Sequence, residues 1–282
     1  MNIYETVTAR IAEALDRGVV PWRKPWNSSI SVPVNVMNGR PYRGVNLFLL
    51  SMARYSDHRW LTYRQALQKG GTVRRGERST PIIFWKRWKP KDGESEDEKR
   101  QVPLLRSFSV FNAEQCEGLD LPELHRPPAL AEHERVENAE LLIRHMPNPP
   151  TMREAGHSAW YSPKDDLVCV PPLAMFESAD AFYATLLHEL GHATGHESRL
   201  GRKGVMDEVR FGSSTYGREE LVAELASAFC CAAISLDNSI IENAASYIQG
   251  WLGTLRHDPK AMVVAAAQAQ RAADYIRGVT WQ

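Results

Sequence analysis

The sequence predicts an α+β protein in two parts. A small basic α+β domain spans residues 1–125, and a mostly helical domain with a small sheet spans residues 126–282. Charge is the first reason. Residues 1–90 hold 16 Lys and Arg against 5 Asp and Glu, so a formal net charge of zero hides a basic first third and an acidic remainder. The second reason is a pair of strand-like runs flanking a polar loop in the first part. The third is a helical apolar period that dominates from Ser178 onward.

Each element has its own signal. "NIYETVTARIAEALDRG" places Ile3, Val7, Ile11 and Leu15 four apart, the stripe of an amphipathic helix. "VVPWRKPWN" is irregular, aromatic and basic. "VNVMNGRPYRGVNLFLL" turns at Asn38-Gly39 and starts a helix near Asn46. "WLTYRQALQKGG" is a short helix closed by Gly70-Gly71. "STPIIFWKRW" is β-branched and aromatic, a strand that pairs with "LLRSFSVFNAEQCEG" across the charged "KPKDGESEDEKR". "LPELHRPPAL" joins the two parts, and "RVENAELLIRHM" is a helix. "AWYS" and "DLVCV" are strands turning at Pro163-Lys164-Asp165. There is no internal repeat.

The composition excludes several classes. Hydrophobic residues at 43% and charged residues at 24% describe a globular chain, and no run of about 18 apolar residues could span a membrane. The N-terminus lacks the layout of a signal peptide. Four cysteines form no CxxC pair, so the expectation is a reduced, cytoplasmic protein with no membrane partner.

The segment 186–196, "LLHELGHATGH", carries the chemistry. Ser178 is a suitable N-cap, Phe182, Leu186 and Leu190 form the buried stripe, and Gly195 ends the helix. His188 and His192 are one turn apart, so both imidazoles point the same way, with Glu189 about 100° round. This is HExxH, in which the histidines ligate Zn²⁺ and the glutamate acts as general base. A polar helix face with two solvated histidines is the plain alternative. An open Zn²⁺ site needs a third protein ligand. The position six beyond His192 is Ser198, and His196 falls beyond the helix end, near the site without ligating. "REELVAELASAF" offers Glu220 and Glu224, stacked on one face while Leu221, Leu225 and Phe229 form the core.

A glutamate from a second helix, followed by an acid four residues later, resembles the thermolysin-like gluzincins. That resemblance implies Glu220 as third ligand and Glu224 as hydrogen-bond acceptor for a ligand histidine. The chemistry implied is hydrolysis, most naturally of a peptide bond, with Glu189 catalytic and Zn²⁺, or Mn²⁺ or Co²⁺, as cofactor. Tyr161, His157, Tyr216 and His196 are candidate oxyanion partners, and "DLVCV" is the candidate edge strand for substrate.

The first third interleaves aromatics and cations: Trp22, Arg23, Lys24 and Trp26; Tyr42 and Arg43; Arg74, Arg75 and Arg78; Lys86, Arg87 and Trp88. Flat rings stack on unpaired bases while cations track phosphates, which points to single-stranded DNA. Core tryptophans beside a solvated basic face are the alternative.

Together these segments resemble the ArdC-type antirestriction family. "YETVTARIAEALDRGVVPWRKPW", "NGRPYRGVNLFLL", "GGTVRRGERSTPIIFWKR" and "SFSVFNAEQ" resemble its single-stranded-DNA-binding domain, which also opens some plasmid primases. "FYATLLHELGHATGHESRLGR" and "YGREELVAELASAF" resemble its zincin-like metallopeptidase domain. The resemblance implies protection of incoming conjugative plasmid DNA from host restriction, with restriction enzymes or other DNA-associated proteins as further partners. Two other readings stay open: a DNA-coating protein whose metal domain is structural, and a metallopeptidase whose basic domain docks acidic proteins.

Overall fold

The computed structural model describes residues 2–23, 32–88, 102–124, 128–202, 205, 214–238 and 245–280, with backbone alone at 85–88, 102–104, 214–216 and 245–247. Helix α1 (Ile3–Asp16) starts at a capping box, Asn2 accepting from the Glu5 N–H while Glu5 accepts from the Asn2 N–H. Its stripe of Val7, Ile11 and Leu15 is buried, as the spacing requires.

The basic part is built on a four-stranded sheet in the order β1-β2-β5-β4 (Val34–Asn35, Arg59–Leu61, Val102–Asn112, Thr80–Trp88). Strands β4 and β5 form the long antiparallel hairpin expected from the sequence, pairing Thr80 with Val110 through Trp88 with Val102; the charged connection "KPKDGESEDEKR" lies outside the described residues. The segment "WLTYRQALQKGG", expected to be one short helix, begins instead as β2. Trp60 and Leu61 are buried strand residues, and only after the Thr62 cap does α3 (Tyr63–Gln68) begin. Helix α2 (Val45–Ser51) packs under the sheet, and β3 (Thr72–Val73) pairs with β6 (Cys116–Glu117).

The second part opens with α4 (Glu132–Arg144) and a three-stranded sheet in the order β7-β9-β8 (Thr151–Glu154, Leu167–Val170, Trp160–Ser162). Strand "DLVCV", expected at an edge, is the central strand: β7 pairs with it in parallel and β8 antiparallel. Its backbone groups are committed on both sides, so it has none to offer a substrate strand. Helices α5 (Ala179–Ala193), α6 (Ser214–Ile234), α7 (Ala245–His257) and α8 (Ala261–Ile276) complete the fold.

One continuous core crosses both parts. Val7, Ile11, Trp22 and Phe48 share it with Phe229, Trp251 and Ala269. Phe48 stacks on Phe229 with centroids 4.8 Å apart, and Trp22 meets Trp251 edge-on at 5.1 Å. Such pairs contribute about 0.5–1.5 kcal/mol each beyond their buried area. A smaller cluster of Tyr42, Leu50, Trp60, Ile82 and Val110 fills the sheet's inner face. Among the described residues, no helix is long and apolar enough to cross a membrane.

Candidate metal centre

Helix α5 is held at its start by Ser178, whose hydroxyl accepts from the Ala181 N–H at 3.1 Å. It ends after Ala193, where Gly195 follows; a Cβ there would overlap Val205 and crowd the Arg202 guanidinium. Between these ends, Leu186, Leu187 and Leu190 are buried and turn His188 and His192 together toward α6. Close approach of the two helices depends on Gly191, where a Cβ would sit 3.0 Å from Ala223 Cα.

The result is a convergent donor set. Ligand atoms of His188, His192 and Glu220 all lie within 4.8 Å of one another. The two Nε2 atoms are 3.2 Å apart; Glu220 Oε2 lies 3.6 Å from His188 Nε2, and its Oε1 lies 3.5 Å from His192 Nε2. The opposite imidazole nitrogens each face an acid, His188 Nδ1 at 3.4 Å from Glu224 and His192 Nδ1 at 3.5 Å from Glu219. Those contacts orient the two rings with both Nε2 atoms toward Glu220, the kind of outer support that metal-ligating histidines have.

Glu219 was not singled out by the sequence. Arg202 holds it, donating from Nη2 at 2.5 Å and from Nε at 3.2 Å. The same guanidinium donates to the Gly191 carbonyl at 2.7 Å and to the Thr194 hydroxyl at 2.5 Å. Burial alone would push the Glu219 carboxyl up, but His192 and Arg202 hold it below the usual carboxylate range. The available signal was the third acid of "REELVAE": two ring-orienting contacts and one carboxylate facing the Nε2 atoms need three, and Glu219, Glu220 and Glu224 supply them.

The field at the site is negative. Burial disfavours a charged His188, yet Glu220 and Glu224, helped by Glu189, raise its pKa well above the ordinary value. The carboxylates that favour a proton on His188 also favour a divalent cation, which would compete with that proton for the imidazole. Glu189 is only 8% exposed and sits on α5 beside the donor set.

The remaining residues singled out by sequence are dispersed. Trp22 is 1% exposed, edge-on to Phe48 and Trp251, so it is removed from any base-stacking role. Arg23 turns inward: its Nε and Nη2 are buried with no hydrogen-bond partner among the described residues, burial lowers its pKa, and the Glu224 charge works against that. Arg43 pairs with Asp274 of α8, and Arg74 with Glu77 at 2.7 Å. Arg75 and Arg78 are exposed, and Tyr42 is buried in the sheet's small core. Lys24 and Trp26 lie outside the described residues, as do the side chains of Lys86, Arg87, Trp88 and Tyr216.

Of the oxyanion candidates, Tyr161 donates to Asp166 at 2.9 Å, and Arg199 holds the same carboxylate while donating to the Ala193 carbonyl at 2.7 Å. Burial, then Asp166, push the Tyr161 phenol well up. This clamp ties the β8–β9 turn to the end of α5. His157 is exposed, and His196 Nδ1 lies 2.8 Å from the Ser198 hydroxyl.

A basic α+β unit fused through one core to a helical domain with His, His and Glu converging between two helices defines a zincin-like domain with an N-terminal partner. Residues 137–268 match the zincin-like metallopeptidase family, and residues 1–111 match the N-terminal domain of anti-restriction factor ArdC. The crystal structure of antirestriction protein ArdC from plasmid R388 in its metal-free form superposes with a TM-score of 0.79 and 34% identity, over 98% of this chain and 97% of that one. Its Mn(II)-bound structure gives 0.78 and 33%, over 100% of both. The chain belongs to the ArdC family of antirestriction proteins. Protein y4eC of Sinorhizobium fredii is 39% identical, over 98% of this chain and 91% of that protein. DNA primase TraC of Escherichia coli is 37% identical over 97% of this chain, which spans only 27% of the primase.

Proposed function

We propose that this protein protects incoming plasmid DNA from restriction in the recipient's cytoplasm, binding single-stranded DNA through residues 1–125 and holding a divalent ion within residues 126–282. The observation that carries the reading is the convergence of His188, His192 and Glu220 on one point. Two imidazoles and a carboxylate suit Zn²⁺, and also Mn²⁺ or Co²⁺; the R388 relative is described with Mn(II) bound.

A bound ion would supply Lewis acidity, lowering the pKa of a water to about 7 and polarising a carbonyl. Glu189, one residue after His188 on α5, would be the general base for hydrolysis there and the group that hands the proton on to the leaving amine. Glu224 and Glu219 keep both imidazoles in register, and Arg202 keeps Glu219 ionised. The reaction supported best is peptide-bond hydrolysis in a DNA-associated protein, host restriction enzymes being the relevant class. On the other part, the exposed Arg75 and Arg78 supply phosphate contacts for a single strand.

Transfer of restriction-sensitive single-stranded DNA into a restricting host tests the proposal, with the wild type beside Glu189→Ala. The wild type should protect, and Glu189→Ala should keep its metal and its DNA affinity while losing protection. Protection undiminished in Glu189→Ala would reject the hydrolytic mechanism, and no protection by the wild type would reject the antirestriction role.

A further inference from the structure

Away from the metal centre, a cavity of about 670 Å³ opens between the β4–β5 hairpin and helix α8. That volume falls within the roughly 300–1,000 Å³ typical of ligand sites. Its walls combine two kinds of group. Phe84 and Phe108 stand at its rim, 48% and 44% exposed, although buried Ile82 and Val110 occupy the same face of the hairpin just beyond them. The two phenyl rings meet edge-on at 5.9 Å, and Tyr42 leans on Phe84 at 6.5 Å.

Amides supply the polar wall. Asn35 donates to the Tyr42 hydroxyl at 3.2 Å and to Gln65 Oε1 at 3.3 Å. Among the described residues, that arrangement leaves the Tyr42 hydroxyl hydrogen and the Gln65 amide N–H groups for another acceptor. Gln270 of α8 closes the opposite side, its Oε1 accepting from the Gly44 N–H at 2.9 Å. Exposed Arg40 lines the mouth, and exposed Arg106 pairs across the hairpin from Phe84.

We propose that this cavity receives one unstacked nucleobase of a single DNA strand. The inference deepens the single-strand reading above and rests on it. A π-face on Phe84 and Phe108 matches any base, the amides match the hydrogen-bonding edge that only an unpaired base presents, and Arg40 and Arg106 match the flanking phosphates. A base inside a duplex could not enter without leaving its stack. Because α8 forms one wall, the bound strand touches the helical part as well as the sheet.

The test uses the full chain and a short poly-dT strand carrying one 2-aminopurine. Fluorescence reports stacking, and titration at several salt concentrations reports affinity and its salt slope. The wild type should bind and quench the probe. Phe84→Ala and Phe108→Ala should each weaken binding about tenfold with little change in salt slope, because no charge is lost. Phe84→Tyr, which keeps the ring face and the fold, should restore both affinity and quenching. A wild type that binds no single strand would defeat the single-strand reading itself. A wild type that binds while both alanine variants bind and quench equally, or while Phe84→Tyr fails as Phe84→Ala does, would overturn the cavity assignment alone.

Discussion

Gly191 of α5 lies against Ala223 of α6 so closely that a Cβ on the glycine would come within 3.0 Å of the alanine Cα and 3.1 Å of its carbonyl oxygen. The small residue within "HELGH" therefore sets the spacing between the helix that carries both histidines and the helix that carries Glu220. Backbone, not a flexible side chain, occupies the space a larger residue would need. Gly191→Val should destabilise the fold by about 1–3 kcal/mol through overpacking, and separate the imidazoles from Glu220. Urea unfolding with parallel metal titration checks it; wild-type values in both would show that the contact does not govern the site.

Arg202 and Glu219 form a buried pair that also grips the end of α5. Arg202→Met leaves the Glu219 carboxylate buried without its cation and should cost about 3–5 kcal/mol in denaturant titration. Glu219→Gln removes the charge with less strain and should lower metal affinity about 10–100-fold with the fold retained. Unchanged affinity in Glu219→Gln would mean that His192 needs no orienting acid.

The Tyr161–Asp166–Arg199 clamp gives a pH dependence. Burial would raise the Asp166 pKa, but hydrogen bonds from Arg199 and Tyr161 hold it below its ordinary value. A folded-state pKa depressed in this way stabilises the protein above the unfolded value of about 4 and loses that contribution as pH falls through the folded one. The melting-temperature gap between wild type and Asp166→Asn should be widest near neutrality and close in acid. A gap of constant size would remove the ionised carboxylate from the account.

Arg75 and Arg78 are exposed on the basic part, whereas Trp22 is sealed in the core. Replacing either arginine with alanine should reduce the slope of log affinity against log salt by about 0.7 on single strands. Trp22→Phe should leave that slope intact and lower thermal stability. Loss of slope in Trp22→Phe with none in the arginine variants would invert the assignment.

Much of this was legible from local pattern. A period of 3.6 residues put His188 and His192 on one face, and Ser178 and Gly195 bounded their helix. The β4–β5 hairpin was legible because β-branched and aromatic runs flanked a charged loop. What was not legible depended on partners distant in sequence. Trp22 sits in an irregular segment, where alternating aromatics and cations look alike whether they face solvent or pack on Trp251 from α7. "TMRE" has four exposed residues and no alternation, so nothing local marks it as β7; its pairing turned "DLVCV" from an edge into the centre of a sheet. Arg202 comes from a loop without periodicity, and its role exists only because α6 brings Glu219 to it.

The central claim is that His188, His192 and Glu220 hold one divalent ion between α5 and α6. Metal analysis of the purified protein beside His188→Ala and Glu220→Ala tests it most directly. About one ion per chain is expected in the wild type and far less in each variant. Equal metal in all three proteins would contradict it.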